Sequence, residues 1–238
     1  MTTEEFFKEL ANVANNNPFI FDDLRARLPL GLDNENRIVA AGQREAVCTH
    51  VCVTGVGRTE FIRRFALAIA GAYDCGQVNF VVVSPKREYA ELLRLTRANV
   101  VAPLIDGLSG VWQALDFARA QAALRLNGGN EKYGKLFFLL DGLETLANGR
   151  FDVYLPFFNL AQSYGVDVVT GVDLLGSVFE ERPQDFVGGE NCLVTVTNAG
   201  KADVVFSKRD GGLTLPATFF YPDEPNFADA LAFVDKLC

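Results

Sequence analysis

The stretch between Val51 and Phe61 constrains the fold of this chain more than any other segment. An apolar run comes first, two closely spaced glycines follow, and the next residues repeat their apolar side chains at helical spacing. This order predicts a buried strand, a tight turn and the first turns of a helix. Similar apolar runs alternate with helical segments along the rest of the chain. Such a pattern predicts an α/β fold with a mainly parallel central sheet and helices on both faces.

The predicted elements cover most of the chain. The expected strands are 51–54, 79–83, 136–140, 166–172, 193–197, 203–206 and 213–220, preceded by a hairpin over 28–41. The expected helices are 3–15, 59–73, 89–93, 108–126, 151–164, 173–179 and 227–237, with a further mixed helical segment over 19–30.

Three predictions concern single residues within these helices. Thr3 is expected to cap the first helix, because a threonine hydroxyl can accept a hydrogen bond from a free N–H group of the first turn. Gly128 and Gly129 are expected to end the longest helix. Trp112, on that same helix, is expected to lie in the core.

The balance of charge weighs against a nucleic-acid-binding domain. The 238 residues include 22 lysines and arginines against 30 aspartates and glutamates, which gives a net charge of −8. A domain that binds DNA or RNA by itself usually gathers an excess of cations on one face. Autonomous DNA binding is therefore not expected.

Neither a signal peptide nor a membrane-spanning segment is indicated. Glu4 and Glu5 stand where a signal peptide would carry basic residues. The most apolar stretch, 61–73, contains Arg63 and Arg64, whereas a membrane-spanning helix needs about 20 consecutive apolar residues. We expect a cytoplasmic chain, with the possibility left open that it belongs to a membrane-associated complex.

The cysteines give no sign of a disulfide framework or a metal site. They are scattered and odd in number, at positions 48, 52, 75, 192 and 238, which predicts reduced thiols. Cys48, His50 and Cys52 alternate and would share one face of a strand. Residues four apart on a strand are separated by about 13 Å, however, and zinc ligands lie at about 2.0–2.3 Å from the ion. No metal is expected here.

The glycine turn has the layout of a phosphate-binding loop but departs from its chemistry. The working pattern is a glycine, four spacer residues and then Gly-Lys-Ser/Thr, which lets backbone N–H groups surround the phosphates. If Gly55 is the first glycine the loop is three residues short, and if Gly57 is the second glycine then Cys52 replaces the first. Arg58 stands for the lysine, and its planar guanidinium does not act as a point charge. Thr59 keeps the hydroxyl.

A nucleotide hydrolase of this type also needs a carboxylate at the end of a neighbouring apolar strand, usually followed by a second acidic residue. Asp141 follows the most apolar strand of the chain, but Gly142 stands next to it. Glu144, three residues beyond Asp141, is the remaining candidate for the second carboxylate. The alternative interpretation, equally open on the sequence, is that Asp141 ends a buried strand and caps the following turn.

The order of these landmarks resembles the RecA-like motor domain of the FtsK/SpoIIIE family, which includes the ATPase modules of the type VII secretion coupling protein. The matching segments are 50–55 before the loop, Ser84-Pro85-Lys86-Arg87 (the family has Asp-Pro-Lys-Arg), Asp141-Gly142-Leu143-Glu144 at the strand end, and Gly200-Lys201-Ala202-Asp203 followed by Gly211-Gly212. The resemblance covers residues 28–238 and leaves 1–27 as an N-terminal helical extension. It implies a RecA-like P-loop NTPase fold.

The resemblance also implies roles for individual residues. If ATP bound, Thr59 and Asp141 would hold Mg²⁺, and Asp141 and Glu144 would be the catalytic pair. The loop around the phosphates would consist of Gly55, Gly57, Arg58 and Thr59. The family's sensor strand carries a Thr-Gln pair where this chain has Gly171 and Val172. Together the departures predict a degraded site, with neither ATP nor Mg²⁺ as a resident cofactor.

Three hypotheses for function remain open on the sequence. The first is a catalytically degenerate ATPase domain that serves as a structural or partner-binding module, associating with an active motor domain or with a secretion substrate. The second is a divergent ATPase that drives DNA or protein translocation. The third, a passive DNA-binding module, is disfavoured by the acidic charge.

Overall fold

One ten-stranded sheet organises the part of the chain that the computed structural model describes, namely residues 1–17, 19, 27–42, 48–101, 105, 107–173, 190–206, 214–223 and 226–237. The strands are β1 (Pro29–Leu32), β2 (Ile38–Ala40), β3 (Thr49–Gly55), β4 (Val78–Val83), β5 (Asn99–Val101), β6 (Lys135–Asp141), β7 (Asp167–Gly171), β8 (Glu190–Asn198), β9 (Lys201–Phe206) and β10 (Ala217–Phe220). Their spatial order is β2-β1-β10-β9-β8-β3-β7-β6-β4-β5.

Six helices accompany the sheet in these residues, together with two 3₁₀ helices. The α-helices are α1 (Thr3–Asn16), α2 (Arg58–Ala72), α3 (Leu108–Tyr133), α4 (Leu143–Leu146), α5 (Leu155–Tyr164) and α6 (Phe227–Asp235). The 3₁₀ helices are Arg87–Arg94 and Phe151–Tyr154.

The sheet has a parallel half and an antiparallel half. Strands β8, β3, β7, β6, β4 and β5 pair in parallel. Strands β9, β10, β1 and β2 continue the sheet from β8 with antiparallel pairing. Parallel neighbours require crossover connections, and the helices between them supply these. The carboxyl ends of β3, β4, β6 and β7 therefore meet along one edge.

Helices cover both faces of the sheet, as the sequence predicts. Because successive side chains of a strand point to opposite faces, Phe137 and Phe138 of β6 enter different cores. Phe137 joins the core under α1, α2 and α6, and Phe138 joins the core under α3 and α5. Each core consists mainly of buried apolar side chains, and helices cover both faces, so the fold class is confirmed.

Helix α1 belongs to the first of these cores. Phe6, Phe7 and Leu10 are buried in it. The helix is capped by Thr2 rather than by Thr3, because Thr2 Oγ1 accepts from the Glu5 backbone at 3.1 Å while Glu5 accepts from the Thr2 backbone at 2.7 Å. This reciprocal capping box needs a glutamate three residues after the cap. The boundary between an extension at 1–27 and a domain at 28–238 remains a prediction.

Helix α3 does not end at Gly128 and Gly129, and that prediction is wrong. It continues to Tyr133, and the residue that follows, Gly134, has φ +71°. Arg125 and the Asn79 side chain bind the last carbonyls, with Arg125 Nε 3.0 Å from the Gly134 oxygen and Asn79 Nδ2 2.6 Å from the Tyr133 oxygen. One bond from within the helix (Arg125) and one from β4 (Asn79) thus bind the carbonyls at its end, which lies beyond the glycine pair.

Several other expectations are also corrected. Trp112 is 52% exposed, because it lies on a flank of α3 that faces away from the sheet. The segments 89–93 and 151–164 are helical as expected, but the first and the start of the second are 3₁₀ helices. Cys48, Cys52 and Cys192 are free and buried, whereas Cys75 is disulfide-bonded, so the prediction of reduced thiols fails for Cys75. The predictions made for residues 20–26, 174–179 and 211–212 lie outside the described residues.

None of the helices described above combines the length and the apolar content that crossing a bilayer would require.

The chain's single histidine, His50, is a buried residue of β3. The His50 ring stacks on Phe158 with 5.3 Å between centroids, and its Nε2 lies 3.5 Å from Cys48 Sγ. Its Nδ1 has no hydrogen-bond partner among the described residues. Burial without a counter-charge lowers the pKa of His50 to about 4.

Protonation of His50 is expected to weaken the fold in mild acid. The folded pKa lies below the ordinary value of 6.5, so the unfolded chain binds more protons and stability falls as pH drops from about 6.5 to about 4. Between about pH 7.5 and about pH 5 this group should cost about 2 kcal/mol of unfolding free energy, as measured by urea denaturation. His50→Met removes the titrating group, and an unchanged pH dependence in that variant would contradict the assignment.

Candidate functional site

The candidate site lies at the edge where the parallel strands end. Strand β3 ends at Gly55, β6 at Asp141 and β7 at Gly171, and Ser84 to Lys86 follow β4. In open α/β sheets, ligands bind in the crevice outside the carboxyl ends of the strands. The edge therefore collects the residues that the sequence singled out.

The loop between β3 and α2 is tightly shaped by its glycines. Gly55 has φ +95°, and a Cβ atom there would lie 2.3 Å from the Val196 carbonyl oxygen of β8. A side chain at this position is therefore excluded by both conformation and space. Helix α2 begins at Arg58, and no side chain caps it. Gly57, Arg58 and Thr59 at this helix start line the cleft described below.

Asp141 is fully buried at the centre of the site, and the chain's own donors saturate its carboxylate. Arg58 Nε donates to Oδ1 at 3.0 Å, and the Thr59 hydroxyl donates to Oδ2 at 2.7 Å. Lys86 Nζ lies 3.1 Å from Oδ2 and 3.3 Å from Oδ1, and the Tyr89 hydroxyl donates to Oδ2 at 3.1 Å. A carboxylate offers about four lone-pair positions. All of them are occupied.

Arg58 joins this carboxylate to two others. Its Nη2 lies 3.6 Å from Glu144, and its Nη1 is paired with Asp173, which is half-exposed at the end of the segment after β7. The Arg58 side chain is 8% exposed. A planar guanidinium with five donors suits a bridge among three carboxylates, and a lysine would not.

Two buried tyrosines complete the cluster. The Tyr154 hydroxyl donates to Glu144 and accepts from the Leu143 backbone at 3.0 Å. Burial raises the pKa of Tyr154 well above its ordinary value, and the negative charge of Glu144 raises it further. The pKa of Tyr89 is raised in the same way, by burial first and then by the charge of Asp141. Both phenols therefore stay protonated and act as hydrogen-bond donors to the carboxylates.

Lys86 reaches the cluster from the end of β4. Besides Asp141 it contacts Thr59, with 2.7 Å between Nζ and Oγ1. The Ser84 hydroxyl accepts from the Lys86 backbone at 3.1 Å and fixes the turn that aims the lysine inward. Its ammonium thus sits between the threonine hydroxyl and the aspartate.

Gly171 leaves space for this arrangement. A Cβ atom at this position would lie 2.5 Å from Asp141 Oδ1 and 2.8 Å from Ile62 Cδ1. Overpacking of this kind typically costs about 1–3 kcal/mol. The position where the resembled family carries a sensor side chain must here remain a glycine for Asp141 to keep its partners.

An open cleft of about 590 Å³ lies over the cluster, lined by residues 55–59, Lys86, Thr145 and Asp173. The structure places Gly55, Gly57, Arg58 and Thr59 together at this cleft, and Asp141 and Glu144 beneath it. The cluster also contains Lys86, Tyr89, Tyr154 and Asp173, which the sequence alone does not assign to the site. The signal for Lys86 was its place at the end of a parallel strand.

No protein-family model matches the chain, and no curated protein matches it. Solved structures do. The cytoplasmic domain of the type VII secretion ATPase EccC from Thermomonospora curvata superposes with a TM-score of 0.56 at 15% identity, covering 90% of this chain and 31% of that one. EssC (ATPases 2 and 3) from Geobacillus thermodenitrificans gives a TM-score of 0.54 at 12% identity, covering 88% and 47%. A KaiC-like protein from Pyrococcus horikoshii gives 0.50 at 13%, covering 82% and 99%.

The chain has the RecA-like P-loop NTPase fold. The likeness to secretion ATPases that the sequence predicted is confirmed at the level of fold. The chain spans less than half the length of the two secretion ATPases to which it is similar.

Asp141→Asn tests whether the cluster holds the fold together. The substitution keeps the shape of the side chain but leaves Arg58 and Lys86 facing a neutral amide. Removing one partner of a buried ion pair typically costs about 3–5 kcal/mol. Because Arg58 keeps two other carboxylates, we expect the lower end, about 3 kcal/mol of unfolding free energy in urea denaturation.

The control is Asp116→Asn, which breaks an exposed pair with Arg119 on α3. Exposed pairs contribute about 0–1 kcal/mol, so this variant should unfold close to the parent. If Asp141→Asn were as stable as the parent, or more stable, the cluster would not be a structural element.

Proposed function

We propose that this chain is a RecA-like module that binds no nucleotide and serves a secretion or translocation machine as a structural or partner-binding part. The observation that supports it is the saturation of Asp141 by Arg58, Thr59, Lys86 and Tyr89. In an active enzyme of this fold the corresponding carboxylate serves the magnesium ion. Here the chain's own cations take that place.

Lys86 is the main obstacle to a metal ion. Its ammonium lies between the Thr59 hydroxyl and the Asp141 carboxylate, the two groups that would hold Mg²⁺. Mg²⁺ demands close, near-octahedral oxygen ligands at about 2.0–2.1 Å. Both side chains would have to release the lysine first, and Asp141 would still face Arg58. The residues present do not fit the ion in this arrangement.

Arg58, the residue at the position of the phosphate-binding lysine, is also held by contacts within the chain. To reach a phosphate it would have to leave Asp141, Glu144 and Asp173. Glu144 in turn accepts from Tyr154 and from the Asp173 backbone at 3.3 Å. A general base needs a free oxygen within reach of the water it activates. Both oxygens of Glu144 are engaged, so neither is free to act as a general base in this arrangement.

The structural similarity to secretion ATPases supports a role in a secretion or translocation machine. EccC is described as a type VII secretion ATPase, and its cytoplasmic domain and a two-ATPase part of EssC share this fold. The chain is similar to about a third to a half of their length. We propose by extension a cytoplasmic role in contact with proteins, with an active motor domain or a secretion substrate as the class of partner.

Calorimetric titration with ATP–Mg²⁺, combined with an assay of phosphate release, tests the proposal. We expect no saturable heat at millimolar nucleotide and no phosphate release, because the cation cluster would have to be dismantled for binding. Arg58→Ala and, as a matched exposed arginine, Arg87→Ala are measured alongside.

Micromolar binding that is abolished by Arg58→Ala and retained by Arg87→Ala would overturn the proposal and favour a divergent, active ATPase. Circular dichroism on each variant separates loss of binding from loss of fold. A salt-dependent gel shift with duplex DNA would instead favour the passive DNA-binding hypothesis.

A further inference from the structure

A second cleft lies at the opposite edge of the sheet from Arg58 and Asp141. Its volume is about 610 Å³, within the range of small-molecule sites. It opens where β4, β5 and β6 begin, with Asn79, Asn99 and Lys135 along its floor. The ends of α2 and α3 form its walls through Tyr73 and Tyr133. It shares no lining residue with the cleft over the ion cluster.

The lining of this cleft is cationic in a chain that is acidic as a whole. Arg125, Lys132 and Lys135 line it, and no aspartate or glutamate is among the described residues that do. Among the described residues, the carboxylate in contact with these cations is that of Asp167, whose oxygen lies 2.7 Å from Lys135 Nζ. One carboxylate for three cations leaves an excess of positive charge.

Arg125 is buried without a carboxylate partner among the described residues. It is 8% exposed, and its hydrogen bonds go to the oxygens of Gly134, Tyr133 and Gln121. Buried charges are normally paired with an opposite charge. Burial accordingly lowers the pKa of Arg125. These bonds use four of the five N–H groups of a guanidinium, and the fifth, on Nη2, is left for another acceptor.

Part of the Arg125 charge offsets the end of α3. A helix C-terminus carries roughly half a negative charge, and an arginine that binds its last carbonyls neutralises this. Lys132 is a second cation on the same turn, and its Nζ contacts only the Tyr133 ring, 5.1 Å from the centroid, in the described structure. The helix end therefore does not cancel the excess charge of the cleft.

Neutral donors and acceptors complete the lining. Asn99 donates to Asn79 at 3.0 Å, and Asn79 donates to the Tyr133 carbonyl, so these carboxamides are held in fixed orientations on the floor. Gln77 and Gln121 add two further amides to the wall. Fixed amides beside cations suit a ligand that carries an oxyanion and other polar groups.

We propose that this cleft, with Lys132, Lys135 and Arg125 around it, is a binding site for a small oxyanion-bearing ligand, a phosphorylated or carboxylated small molecule. The site is separate from the degenerate phosphate loop and does not rest on the function proposed for the chain. An oxyanion at the cleft neutralises Lys132 and accepts the remaining N–H of Arg125.

Inorganic phosphate and citrate serve as probes of the two anion classes. Each is titrated into the full chain by calorimetry, and backbone amide NMR signals of Asn99 and Gly134 report where it binds. We expect saturable binding of at least one probe with shifts at both signals, and Lys132→Gln should weaken it about tenfold, as loss of a charge-assisted contact predicts. Lys132 is exposed, so this variant is expected to fold normally.

Two lysine variants serve as controls. Lys236→Gln alters an exposed lysine elsewhere on the surface, and Lys86→Gln alters the cleft over the ion cluster. Circular dichroism first establishes that Lys86→Gln is folded, since Lys86 also contacts Asp141. In the folded variants neither substitution should change the affinity. Binding that is lost in Lys86→Gln and retained in Lys132→Gln would place the anion at the phosphate loop and overturn the proposal. Absence of saturable binding by both probes at millimolar concentration would also overturn it.

Discussion

The pairing of the buried Asp141 carboxylate with the chain's own donors is the interaction on which the rest of the structure depends. The carboxylate lies at the end of β6 with no exposed surface, where an unpaired charge would be very costly. The charge is paired with two cations, Arg58 and Lys86, and it accepts hydrogen bonds from the hydroxyls of Thr59 and Tyr89. These four residues come from α2, the turn after β4 and the first 3₁₀ helix. The same contacts tie α2 and the β4 turn to the centre of the sheet.

The departures from a working phosphate loop support one another in this arrangement. Arg58 bridges Asp141, Glu144 and Asp173, which a lysine could not do with comparable geometry. Gly171 leaves the space that Asp141 needs, and Ser84 holds the turn that directs Lys86 inward. Together these residues form one internal ion cluster at the carboxyl ends of the strands.

Much of the fold could be predicted from the sequence, and much of the cluster could not. Buried parallel strands such as β6 are almost entirely apolar, so the pattern alone located them. The partners of Asp141 come from positions 52 to 83 residues away in the chain, and no local pattern records such a contact. The end of α3 is hard to predict partly for the same reason, because the Asn79 side chain of β4 binds the Tyr133 carbonyl from 54 residues away.

A crystal structure of the chain grown with millimolar ATP and Mg²⁺ tests most directly whether the internal ion cluster excludes nucleotide. We expect Arg58 Nε and Lys86 Nζ to remain on the Asp141 carboxylate, with no nucleotide against Gly57 and Thr59. A structure in which both side chains have turned to phosphate oxygens, with Mg²⁺ between Thr59 and Asp141, would contradict it.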